Sequence, residues 1–230
     1  QMWLVNFLIN FDNITIICID GVDPNHGLKA LKYSMKHITF AKSIIMSHIK
    51  PDNVPDNVVF EQIEPLTHDS YSPFVLSNLS SYVDTEYCLL INDDGFVINP
   101  ELWDEKFLEY DYIGAPWKDY GQLNRVGNGG FSLRSKKLID FCKHIVPLDG
   151  EHEDGAICLR HKHALEEHGC KFAPVDVAMK FSLESRIPEC DFDLNNSFGF
   201  HGRGVPENTC DHDGFYHQFH DRLALLDTVE

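Results

Sequence analysis

The sequence is poor in positive charge. Nineteen Lys and Arg stand against 36 Asp and Glu, a formal charge of −17 over 230 residues. Nucleic acids and anionic membranes are bound through cationic surfaces, so neither is an expected partner. Long apolar runs are missing as well: no stretch approaches the roughly 18 residues that a membrane span needs. The apolar start, Gln1-Met-Trp-Leu-Val-Asn-Phe-Leu-Ile9, has no basic region and no small-residue cleavage site. No secretory leader is signalled, and a cytoplasmic location is the expectation. The seven cysteines are an odd number without a C-x-x-C pair, which argues against a disulfide framework or zinc finger and for reduced thiols. Internal repeats and low-complexity segments are absent, as are the G-x-G-x-x-G and G-x-x-x-x-G-K phosphate motifs.

What is present describes a globular chain, 43% hydrophobic and 24% charged, with interior enough for one large core. The stretch Tyr87-Cys-Leu-Leu-Ile-Asn-Asp-Asp-Gly95 organises it. Its five-residue apolar run reads as a strand buried on both faces, the habit of parallel sheets. The run stops at Asn92, Asp93 and Asp94, and Gly95 permits a sharp turn. In open α/β sheets, ligands bind at the carboxyl ends of strands. Two carboxylates there are costly to desolvate without a cation, and Mg2+ or Mn2+ takes oxygen ligands and phosphates together. Two readings stand: a metal-assisted nucleotide-diphosphate site at Asp93 and Asp94, or an acidic surface turn.

Along the chain, strands are predicted at 14–19, 43–47, 58–63 and 87–91 and helices at 28–39 and 72–83. The β-α-β order over 14–47 makes its strands parallel through a right-handed crossover. Pro100 opens a predicted helix with Leu102, Trp103 and Phe107 on its apolar side. The aromatic stretch 110–117 reads as loop or strand, 118–124 as a polar loop, and 126–133 as a glycine-rich loop entering a strand. Ser135 caps a helix over 136–145, and 153–168 reads as one helix stopped by Gly169. Residues 171–174 and 178–182 read as extended, 198–202 as a tight loop, and the last 28 residues as polar without pattern. Alternating strands and helices give an α/β class.

Several residue groups bear on chemistry. Gly127-Asn-Gly-Gly130 lets backbone approach a ligand, although a plain turn explains it too. Glu153 and Asp154 open a helix, where carboxylates suit the helix dipole and where one could also act as general base. His201 sits in a glycine-flanked loop and is either a structural hydrogen bonder or a metal donor. Cys210, His212, His217 and His220 match no zinc spacing. His161 and His163, two apart, face different sides of a helix. Trp103, Tyr112 and Trp117 are core residues by default, with sugar stacking as the alternative.

Taken in order, these strings resemble the GT-A type of nucleotide-sugar glycosyltransferase, and more narrowly a small family of that type. The strings are the acidic-Asp-Gly turn at 92–95, Asn99-Pro through Trp103, Tyr110-Asp-Tyr-Ile-Gly-Ala-Pro-Trp117 and Gly127-Asn-Gly-Gly-Phe-Ser-Leu-Arg134. Glu153-Asp154 and Phe198-Gly-Phe-His-Gly202 complete the set. The resemblance covers about residues 12–203. It implies a GT-A-like (Rossmann-type) mixed, mainly parallel sheet flanked by helices, in a single domain over 1–230 with its core at about 12–203 and a polar tail at 204–230. It also implies that Asp94 and His201 hold Mn2+ or Mg2+, with Asn92 replacing the first acid of a D-x-D motif. Ile19, Asp20, Gly21, Asp93, Asn128, Gly129 and Gly130 would line the donor, a UDP-sugar being favoured. Asp154 would be the base of an inverting transfer to a glycan or other hydroxyl acceptor, with Glu153 holding the acceptor or supporting the base. The missing first acid keeps a second expectation open, a sugar- or nucleotide-binding module impaired in catalysis.

Overall fold

A run rich in Ile and Thr favours extended backbone, and it forms the eleven-residue strand β1 (Ile9–Ile19), whose last six residues are all buried. A computed structural model describes this and the rest of residues 8–118, 125–204 and 214–230. After β1 the chain turns into α1 (Pro24–Ser34): the Asp23 side chain accepts the His26 N–H at 3.2 Å, and Pro24 takes the first helical position. It returns as β2 (Ile38–Ser47), continues as β3 (Val59–Gln62), and enters α2 (His68–Asn78) through a reciprocal Thr67–Ser70 capping box. β4 (Tyr87–Ile91) follows. Beyond it lie β5 (Tyr112–Gly114), β6 (Phe131–Ser135) and α3 (Lys136–Cys142), the last capped by the Ser135 hydroxyl. α4 (Glu153–Gly155) runs through a π-helical turn (Ala156–Arg160) into α5 (Lys162–Glu167). Then come α6 (Val175–Phe181), β7 (Ser182–Leu183), β8 (Gly199–Phe200) and α7 (His217–Leu223).

Among the described residues the main sheet has six strands in the order β3-β2-β1-β4-β6-β5. β3, β2, β1 and β4 run parallel, while β6 is antiparallel to both β4 and β5. The chain moves from β1 outward to β2 on one side and later returns to β4 on the other, so the order reverses between β1 and β4. That switch point is where open sheets leave a crevice. β7 and β8 form a short parallel ribbon whose Gly199 also bridges Val97. Both faces of the main sheet are covered by buried apolar clusters, as expected for parallel strands.

Several boundaries differ from expectation. The helix expected over 28–39 starts four residues earlier, because Asp23 and Pro24 begin it, and stops at Ser34; Ile38 and Thr39 instead pair with Ile9 and Asn10. The helix expected from Pro100 is two 3-10 turns, Pro100–Leu102 and Glu105–Glu109, split where Trp103 is extended and Asp104 recaps the chain. The extended piece expected at 178–182 is mostly α6, in which Val175, Ala178 and Phe181 recur every third residue. Residues 204–230 are not merely a polar tail outside the core: Phe215, Phe219 and Leu226 are fully buried in the main apolar cluster. The residues before Leu8, those at 119–124, and Cys210 with His212 lie outside the described ones. No described helix is long and apolar enough to cross a membrane.

Candidate active site

The ends of β1 and β4 open onto a cavity of about 470 Å3. Asp20, the first residue after β1, folds back on its own turn and accepts the N–H groups of Val22 and Asp23, both at 2.8 Å, through Oδ1. Its Oδ2 is buried and has no hydrogen-bond partner among the described residues. Burial, reinforced by the charges of Asp93 and Asp23, raises the Asp20 carboxyl above its ordinary range despite the two amide bonds.

At the end of β4 the three polar side chains have separate partners. The Tyr71 hydroxyl donates to Asn92 Oδ1 at 3.0 Å. Asp93 Oδ2 meets His26 Nδ1 at 3.1 Å and an Arg203 guanidinium nitrogen at 2.5 Å. Asp94 Oδ1 lies 3.4 Å from His201 Nε2, and its Oδ2 lies 3.6 Å from Arg203 Nε. The other ring nitrogen of His201 meets Glu184 Oε1 at 3.2 Å. Burial opposes charge on both members of the Asp94–His201 pair. Their mutual hydrogen bond and charges together with those of neighbours outweigh it, Arg203 helping to hold Asp94 low and Glu184 helping to push the imidazole up to about 10.

Among the described residues, no cluster of three or more His, Cys, Asp or Glu side chains forms a complete metal cage. Asp94 and His201 nevertheless fit a divalent cation. Their facing oxygen and nitrogen are separated by 3.4 Å, a span that one ion can bridge with bonds of about 2.1 Å. One or two protein ligands, completed by substrate phosphates and water, is the usual protein share of a Mg2+ site. Arg203 shares the same carboxylates, so it competes with a cation for them.

The glycine-rich loop forms the opposite wall. Asn128 takes a left-handed backbone, φ 49°, a conformation that asparagine tolerates better than most residues. Its Oδ1 is buried without a hydrogen-bond partner among the described residues. A Cβ on Gly129 would fall 2.0 Å from Glu153 Oε1, and one on Gly130 would fall 2.0 Å from His201 Nε2. Only glycine permits these approaches. Asp154 Oδ2 accepts the Gly129 N–H at 3.0 Å. Burial, then the charge of Glu153, raises the Asp154 carboxyl, the direction that suits a general base.

Glu153 is occupied instead. Its Oε1 meets Arg134 at 3.0 Å and its Oε2 accepts the Ser72 hydroxyl at 3.2 Å. Arg134 is only 1% exposed and lies 5.3 Å from the centre of the Tyr112 ring. Its Nε donates to Ser132 Oγ at 2.9 Å, and that hydroxyl donates to Gly129 O at 3.0 Å. The buried pair therefore braces the loop that Asp154 grips.

Of the residues singled out by sequence, Ile19, Asp20, Gly21, Asp93, Asn128, Gly129, Gly130, Glu153, Asp154 and His201 line this one cavity, and Asp94 adjoins it through His201. The three aromatics do not. Tyr112 is fully buried, Trp103 packs against Phe11, Phe107 and Phe198, and Trp117 fills the space beside Gly127. His217 and His220 lie on α7. Sequence reading missed Tyr71, Ser72, Arg134, Glu184 and Arg203. The Thr67–Ser70 capping signal could have placed the start of α2 near the cavity, and Arg203 stands two residues after His201. Nothing local marks Glu184.

Comparison with known proteins adds a family. A family model described as "Protein of unknown function (DUF5672)" matches residues 49–201. The chain belongs to DUF5672. No curated protein matches it significantly. Among solved structures, this DUF5672 member is similar to the galactosyltransferase LgtC in complex with donor and acceptor sugar analogues, at 14% identity and a TM-score of 0.51 over 94% of this chain and 97% of that one. An active-site mutant of LgtC gives 0.51 at 12% identity, over 96% and 95%. Against S. aureus TarS 1–349 the TM-score is 0.41 at 10% identity, over 59% of this chain and only 50% of that one. At these identities the likeness concerns fold: this DUF5672 chain has the GT-A-like mixed sheet of glycosyltransferases.

Proposed function

We propose that this DUF5672 protein is a metal-dependent glycosyltransferase that moves a sugar from a nucleoside-diphosphate sugar, a UDP-sugar being favoured, to the hydroxyl of a glycan or other acceptor. One observation carries the proposal: the Asp94–His201 pair and Asp154 belong to the same crevice at the β1/β4 switch point. LgtC, whose structure contains donor and acceptor sugar analogues, has the same kind of fold, which supports the substrate class.

In this reading Asp94 and His201 hold Mn2+ or Mg2+. When bound, the cation offsets charge building on the departing diphosphate. Ile19, Asp20 and Gly21, at the end of β1, border the nucleoside. Asn128, Gly129 and Gly130 bring backbone close to the donor sugar, and Arg203 adds positive charge at the diphosphate. Asp154 takes the proton of the acceptor hydroxyl as it attacks the anomeric carbon from the face opposite the leaving group, which inverts the configuration. Glu153, committed to Arg134 and Ser72, supports this arrangement rather than moving a proton. A reducing, cytoplasmic setting belongs to this reading, in keeping with the absence of a disulfide among the described cysteines.

Asn92, hydrogen-bonded to Tyr71 where a first acid was expected, favours a second reading, a sugar- or nucleotide-binding module without turnover. Release of UDP from a panel of UDP-sugars separates the two. The enzyme releases UDP in Mn2+, and Asp154→Asn lowers the rate at least about 100-fold; a module binds donor and releases none.

A further inference from the structure

The β7/β8 ribbon ends on two side chains that meet. Glu184 follows β7 and His201 follows β8, with Leu183 and Phe200 in register immediately before them. The His201 N–H donates to Leu183 O at 3.1 Å, and the next amide, Gly202 N–H, donates to Asp94 O at 2.9 Å. The histidine backbone is thus pinned between the ribbon and the acidic turn, leaving its ring rotation to be set. On one side Gly130 allows the ring to lie where a Cβ would collide with it. At its two nitrogens the ring meets Glu184 through Nδ1, at 3.2 Å, and Asp94 through Nε2, at 3.4 Å. Glu184 binds the nitrogen that Asp94 does not, so it is placed to hold the ring rather than to join Asp94 on a cation. An imidazole whose Nδ1–H is held by a carboxylate presents Nε2 as its metal donor, and such outer partners fix both tautomer and ring orientation.

We propose that Glu184 is the positioning residue of the cation site: it accepts the Nδ1–H of His201 and aims Nε2 at the ion held beside Asp94. This rests on the cation-binding part of the function proposed above and not on the sugar chemistry. The test uses the full chain and Mn2+ alone, titrated and read by electron paramagnetic resonance, for wild type, Glu184→Ala, Glu184→Gln and His201→Ala. The Glu184 side chain is 32% exposed, so removing it leaves no closed cavity, and thermal unfolding checks that each variant is folded. Glu184→Ala is expected to weaken Mn2+ binding about 10- to 100-fold, while Glu184→Gln, which keeps an acceptor oxygen, retains most of the affinity. Nitrogen NMR of the Mg2+-loaded protein should show the Nδ1–H tautomer of His201 in wild type and its loss in Glu184→Ala. Wild-type Mn2+ affinity in a folded Glu184→Ala chain, alongside a weakened His201→Ala, overturns the role of Glu184. Failure of the wild type itself to bind Mn2+ overturns the cation reading and this proposal with it.

Discussion

A buried carboxylate ionises more readily beside a cation than beside another acid, and this cavity contains both cases. Asp94 is held low by His201 and Arg203, whereas Asp154 is raised by burial and by the neighbouring charge of Glu153. A raised carboxyl stays protonated to higher pH, so Asp154 loses its capacity as a base as pH falls through that raised value. The acid limb of a pH–rate profile for UDP release is expected above the ordinary carboxylate range of about 4, and Glu153→Gln should shift it downward by removing one cause. A limb at the ordinary position contradicts the assignment. The Arg134–Glu153 pair makes a separate prediction in urea unfolding. Arg134→Met should cost about 3–5 kcal/mol by leaving Glu153 buried without its cation, and adding Glu153→Leu should recover much of that loss. At this scale the sequence was legible where a residue type is rare for its setting, such as acids after an apolar strand or histidine between glycines. Glu184, Tyr71 and Ser72 are ordinary residues brought against candidate site residues 17 to 81 positions away, which no local pattern carries.

Elements were legible where one signal dominated. β4 and the buried end of β1 follow from unbroken apolar runs, and α3 from its Ser135 cap. Boundaries failed where two signals competed. Ile38 fits an apolar helix face and a strand equally well, and pairing with Ile9 decides it. α7 was missed because His, Gln, Asp and Arg surround its buried Phe219, so composition concealed a packed helix. Phe219→Ala therefore distinguishes a core element from a tail. It is expected to cost about 3–5 kcal/mol in urea unfolding, and a loss near zero would place the segment outside the core.

Across the whole molecule, a formal charge of −17 means that folding gathers like charges, and self-repulsion opposes the compact state. Raising NaCl from about 0.01 M to about 0.1 M shortens the screening length from roughly 30 Å to roughly 10 Å. The melting temperature should rise over that range; a fall would show that the ion pairs outweigh the repulsion. The same imbalance bears on ligand choice. A diphosphate entering a cavity lined by Asp20, Asp23, Asp93 and Asp154 needs positive charge brought to it, and Arg203 and His201 are already engaged with acids. The most direct test titrates UDP calorimetrically into the wild-type chain and into Asp94→Ala, each with Mn2+ and with excess chelator. Binding by the wild type that requires Mn2+ and is lost in Asp94→Ala is the predicted result, whereas UDP binding of equal strength in all four titrations would contradict a cation held at Asp94 and His201.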